Sequence, residues 1–124
     1  MNRYPWLDEF LLSLPGCTKD FKAEWGWHRY MVGGKLFCAL CLDGEGKPCY
    51  ITLKLAPARG DAPRQLYPDI IPGYYMNKTH WNSVRTEGAV PPELLKEMLD
   101  EAYGLVFNRL PRKKQQEINL EESK

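Results

Sequence analysis

Residues 72–81 read Pro-Gly-Tyr-Tyr-Met-Asn-Lys-Thr-His-Trp and gather most of the chain's contact chemistry into ten positions. Tyr74, Tyr75 and Trp81 offer ring faces that stack on a base or a ligand, or that cover a sheet edge. Lys78 is a point charge for an anion, and Asn77 and His80 are hydrogen-bonding groups. A helix would not open on Pro-Gly, and a buried strand would alternate apolar with polar. The segment therefore reads as a surface turn that feeds a strand starting at Trp81. Asn77 can also hold such a turn through its own backbone hydrogen bond.

Other reactive groups are less telling. Cys38 and Cys41 form a C-x-x-C, with Cys49 and His28 elsewhere. Zinc needs four ligands converging on one point, whereas residues three apart on a strand project to opposite faces. Thioredoxin-type pairs open a helix, which this pair does not. The expectation is small apolar fillers, with no metal and no cofactor. His80 would need a nucleophile or an orienting carboxylate to act as a base, and spacing supplies neither. No nucleophile elbow, metalloprotease pair, P-loop or dinucleotide fingerprint occurs. The chain is not expected to be an enzyme.

The elements that must position these groups follow from periodicity. Residues 3–14 form a helix, with Leu7, Phe10, Leu11 and Leu14 on one face, Asn2 as N-cap and Pro15-Gly16 as the stop. Residues 19–55 read as consecutive antiparallel strands. Phe21, Ala23 and Trp25 share a side of the first. Gly33-Gly34 closes a hairpin. Leu36, Cys38, Leu40 and Leu42 share a face of the third strand, and residues 43–46 form the next turn. Ile51, Leu53 and Leu55 lie opposite Tyr50, Thr52 and Lys54 on the fourth. A short helix spans residues 62–67, and a last strand follows from Trp81 to Thr86. The strongest helix is 91–109, where Leu95, Met98, Leu99, Ala102, Leu105 and Val106 form a stripe and Pro111 prevents continuation. Residues 112–124 are polar and read as a flexible tail, so the domain spans residues 1–111.

A chain of 124 residues suits one domain with one core. The formal net charge of +1 lacks the basic excess of a protein built mainly to neutralise phosphate. Any polyanion surface must therefore segregate its charge. Lys35, Lys54, Lys78 and Arg85 converge if their strands adjoin, with Lys54 on the side away from the Ile51-Leu53-Leu55 stripe. Glu93, Glu97, Asp100 and Glu101 lie on the last helix, away from that surface. No apolar run reaches the length of a membrane span, and no leader pattern is visible. The expected location is the cytoplasm, with reduced thiols.

Several strings together resemble the MmcQ/YjbR family of small bacterial proteins, to which DNA binding is ascribed. They are Gly33-Gly34-Lys35-Leu36-Phe37, Leu53-Lys54 with Pro57, Tyr67-Pro68, residues 72–82, Gly88-Ala89-Val90-Pro91, and the closing helix with Tyr103-Gly104-Leu105-Val106 and Leu110-Pro111. The likeness runs from the first helix to about Lys114. It implies a single α+β domain, a curved antiparallel sheet flanked by N- and C-terminal helices, described as frataxin-like. It also implies a double-wing mode of DNA contact. The frataxin likeness raises iron binding, but the first helix offers only Asp8 and Glu9, not an acidic ridge.

The resulting expectation is a monomeric, cofactor-free module that binds DNA through a sheet-and-loop surface. Lys35, Lys54 and Lys78 meet phosphates, Asn77 and His80 hydrogen-bond, and Trp81 stacks or supports the loop. The alternative is a protein- or small-ligand-binding domain whose 74–81 loop forms a pocket.

Overall fold

Hairpin chemistry sets the architecture. The structure, a computed structural model, describes residues 4–56, 67–72 and 80–122. Gly33 and Gly34 both adopt left-handed backbone angles, φ +59° and +78°. A two-residue turn of this hand matches the twist of the strands it joins. It closes β2 (Trp27–Val32) onto β3 (Lys35–Leu42) with Val32 opposite Lys35. Upstream, β1 (Cys17–Lys22) pairs with β2, and β3 pairs with β4 (Pro48–Lys54) across the Asp43 turn. Beyond β4 lie β6 (Trp81–Arg85) and then a three-residue strand, β5 (Ile70–Pro72). The order is β1-β2-β3-β4-β6-β5, every pairing antiparallel. With α1 (Leu7–Leu12), α2 (Pro92–Phe107) and α3 (Arg112–Glu122), this is a single α+β domain.

One face of the sheet carries the core. Ile51, Leu53 and Leu55 are buried there, as their period of two requires, against Leu95, Leu99, Ala102 and Val106 of α2. Leu105 stays half-buried at the margin of that stripe. Leu7 and Leu11 bring α1 onto the same face, with Phe10 and Leu14 packed behind them. Tyr4 anchors the approach to α1 by donating its hydroxyl to Val90 O at 2.7 Å.

Three expectations fail, each for a local reason. The pairing of β2 with β3 slips between Tyr30 and Met31: Tyr30 faces Cys38 while Met31 faces Leu36. Phe37 is the extra residue of a bulge. It joins Cys38 in the main core, while Leu36 packs with Trp27, Ala39 and Cys41 on the other face. Leu36 and Cys38 therefore do not share a side. The first strand stops at Lys22, because Trp25 N and Gly26 N both bond Lys22 O and Gly26 adopts φ +67°. Phe21 and Trp25 are left exposed instead of aligned.

The segment 112–124, read as a flexible polar tail, is helical from Arg112 to Glu122, and Ile118 is buried in the core. A Cβ on Gly16 would lie 2.9 Å from Ile118 Cγ2, so Gly16 makes the room for it. Gln115 Nε2 donates to Leu110 O at 2.9 Å and to Asn108 O at 3.3 Å, satisfying carbonyls left open where α2 ends. The expected helix over residues 62–67 falls outside the described residues, apart from Tyr67.

α1 is tied to the sheet by Asp8, which accepts from Lys19 Nζ at 2.6 Å and from Tyr30 Oη at 2.7 Å. Those two bonds hold its carboxyl below the usual range. A depressed carboxyl stabilises the fold above its unfolded value, near pH 4, and that contribution is lost as pH falls through the lower folded value. The Asp8 side chain is 53% exposed, so screening limits the contribution to about 1 kcal/mol or less. Asp8→Asn is expected to flatten the acid limb of the thermal-stability profile below about pH 4. An unchanged limb would show that the bonds contribute nothing.

Candidate nucleic-acid interface

The sheet face opposite the helices carries the polar and aromatic groups. Directly paired residues on antiparallel strands project to the same side, so the register assigns each one. Thr52 and Lys54 lie away from the Ile51-Leu53 stripe. Trp81 stands opposite Lys54, Ser83 opposite Thr52 and Arg85 opposite Tyr50. Ala39 and Cys41 continue the face on β3, Trp27 and Arg29 on β2, and Asp20 and Lys22 on β1.

Its centre is closed by small polar groups. Cys41 Sγ lies 3.5 Å from Thr52 Oγ1, which lies 2.9 Å from Ser83 Oγ, and all three residues are buried. At the β1–β2 end, Lys22 Nζ sits 4.7 Å from the centre of the Trp25 ring. Trp25 and Trp27 pack edge to face, with ring centroids 5.2 Å apart. Trp25 is 52% exposed, so much of its indole is open to a ligand. At the β4–β6 end, Arg85 lies 5.6 Å from the Tyr50 ring centre.

Carboxylates accompany these cations. Arg29 Nε donates to Asp20 Oδ1 at 2.7 Å and Nη2 bonds the second oxygen, a bidentate pair that lowers the Asp20 pKa. Lys22 lies 3.5 Å from Glu24 and Arg85 lies 4.0 Å from Asp69. The face is thus aromatic and only mildly basic. Beside Tyr50 and Arg85, an open cleft of about 540 Å³ is lined by both signs, including Asp43, Lys47, Asp69 and Glu87.

The residues singled out from sequence do not assemble as expected. Lys54 and Trp81 are direct cross-strand neighbours on the face away from α2, but Trp81 is buried there and does not offer its ring to a ligand. Lys35 is not with them: its partner Val32 points into the core, so Lys35 projects on the helix side, at the hairpin. His80 also parts from Trp81. Its carbonyl accepts Leu55 N at 2.7 Å, opposite a residue whose side chain is in the core. Its Nδ1 is buried with no hydrogen-bond partner among the described residues. Asn77 and Lys78, and the 74–81 loop before His80, lie outside the described residues. Sequence reading missed Lys22, Trp25, Trp27, Arg29 and Tyr50. The available signal was the alternation of Trp27 and Arg29 with core residues along β2.

The thiols are spread over both faces. Cys38 is in the main core and Cys41 in the smaller buried cluster on the other face. Burial pushes Cys17 and Cys41 up to about 11, and raises Cys38 and Cys49 as well, so all four stay protonated at neutral pH. Among the described residues, no three His, Cys, Asp or Glu side chains gather to hold a metal ion.

Comparison with known proteins places this architecture. The YjbR family model matches residues 12–105. YbdF of Escherichia coli O157:H7 is 35% identical over 72% of this chain and 71% of its own. YjbR of Escherichia coli K12 is 27% identical over 86% of this chain and 88% of its own. Among solved structures, the Deinococcus radiodurans protein DR2400, which carries the DUF419 domain, superposes with a TM-score of 0.83. It is 30% identical and covers 96% of this chain and 89% of its own. A Pseudomonas syringae protein of known crystal structure has the same fold, with a TM-score of 0.68 at 22% identity over 85% of this chain and 98% of its own.

Proposed function

The chain belongs to the YjbR family, and we propose that it is a non-catalytic module that binds single-stranded nucleic acid at the Trp25 end of the sheet face turned away from α1 and α2. The observation that carries this reading is the half-exposed Trp25, with a lysine over its ring and Trp27 packed edge-to-face with it. A base stacks on such a ring whatever its identity, and stacking contributes about 1–3 kcal/mol per base. Duplex DNA hides its base faces, so its binding rests on phosphate contacts. Here Arg29, Lys22 and Arg85 each have a carboxylate nearby, which leaves little excess charge for phosphates. The cations orient the rings and make a few backbone contacts.

The test is fluorescence anisotropy with labelled single-stranded and duplex DNA at two salt concentrations. Single strands should bind at least about tenfold tighter, with a log–log salt slope near −2, the value for about three phosphates. Equal affinity with a steep slope would show a duplex-backbone binder, and no binding at low salt would remove nucleic acid as the partner. In that case the mixed-charge cleft beside Tyr50 becomes the site of a small zwitterionic ligand, since its lining offers both signs.

A further inference from the structure

The two edges of the sheet are built differently. β5 is three residues long and ends on Pro72, a residue without a donor, which discourages further pairing. β1 is six residues long, contains no proline, and runs beside β2 without a bulge. Its Thr18, Lys19, Asp20 and Phe21 are exposed. Edge strands are usually guarded by charges directed at an incoming strand. Here each charge is engaged within the chain: Lys19 with Asp8 at 2.6 Å, Asp20 with Arg29, and Lys22 with Trp25 and Glu24. Phe21 is 50% exposed, with its ring 4.7 Å from His28.

We infer that the β1 edge is a self-association surface, on which a second copy of this chain pairs its own β1 antiparallel about a two-fold axis through Phe21. The register follows from charge. Residues directly opposite project to one face, so a two-fold perpendicular to the sheet places one residue opposite itself. Centring on Lys19, Asp20 or Lys22 would oppose like charges at the axis. Centring on Cys17 or Thr18 opposes no unlike pair. Centring on Phe21 sets ring against ring and Asp20 against Lys22 twice. A carboxylate already holding Arg29 still has lone pairs to accept a lysine. Only Asp20, Phe21 and Lys22 of each strand overlap, so the interface is small and the dissociation constant is on the order of 100 µM. The association shares Lys22 with the proposed nucleic-acid face, but it is measured without nucleic acid. Its failure is therefore separable from failure of the proposed function.

Sedimentation of the full chain from about 5 µM to about 1 mM tests it. The weight-average mass should rise from 14.4 kDa towards twice that value. Phe21→Asp places two carboxylates at the axis and should weaken association at least tenfold. Lys22→Asp should do the same, by facing Asp20 of the other copy. Combining Lys22→Asp with Asp20→Lys restores unlike pairs and should recover association. Circular dichroism confirms that each variant is folded. A monomer throughout the range overturns the inference, and so does a dimer indifferent to Phe21→Asp and Lys22→Asp.

Discussion

Phe37→Ala lowers the free energy of unfolding by about 3–5 kcal/mol, whereas Leu36→Ala costs roughly 1–2 kcal/mol. Both are apolar residues at the start of β3, and uninterrupted alternation would place Leu36 in the main core and Phe37 outside it. The bulge reverses this. Phe37 is fully buried and meets Tyr103 edge-on at 5.6 Å between ring centroids. Its removal takes away a large buried ring and leaves a cavity between the sheet and α2, which relaxes only partly because both walls are regular elements. Leu36 is half-buried over the smaller Trp27 cluster, and its neighbourhood can close with less loss. Domains of this size have about 5–15 kcal/mol in total, so the first variant should unfold at a far lower urea concentration than the second. Equal midpoints, or the reverse order, would remove the bulge from the account.

Trp25→Ala should cost about 1–3 kcal/mol of single-strand affinity, a loss of roughly five- to 150-fold, while changing stability by no more than about 1 kcal/mol. Stability changes little because half of the indole already meets water and its main neighbour, Trp27, stays packed on Ala39 and Cys41. Lys22→Ala is expected to weaken binding less and to reduce the salt slope by about 0.7, the contribution of one phosphate on a single strand. The two variants therefore separate stacking from charge. Trp25→Ala that binds as tightly as the parent chain would remove this end of the sheet from the proposed function.

Much of the scaffold was legible because its signals are local. Gly33-Gly34 marks the β2–β3 turn, and Ile51, Leu53 and Leu55 show which way β4 faces. The α2 stripe repeats over enough turns to outweigh its two starting prolines. The bulge was not legible, since one extra residue alters pairing without altering composition. α3 was missed because a single apolar residue, Ile118, docks it, and one residue has no period. The site was partly legible: Lys54 and Trp81 lie together. Lys35 and His80 project the other way because their partners, Val32 and Leu55, are core residues, and sequence alone does not reveal partners. Trp25 was assigned to a strand that ends three residues earlier, at a turn made by Gly26.

The seat that Gly16 provides for Ile118 has a consequence for the order of assembly in time. The two residues lie almost a full chain apart, so their contact closes a long loop and is expected to form late. The β2–β3–β4 meander, linked by short turns, can be in place before that seat is filled. Backbone amides of α3 should then exchange with solvent sooner than those of β4, and loosening of the native molecule should begin at this last-made seam.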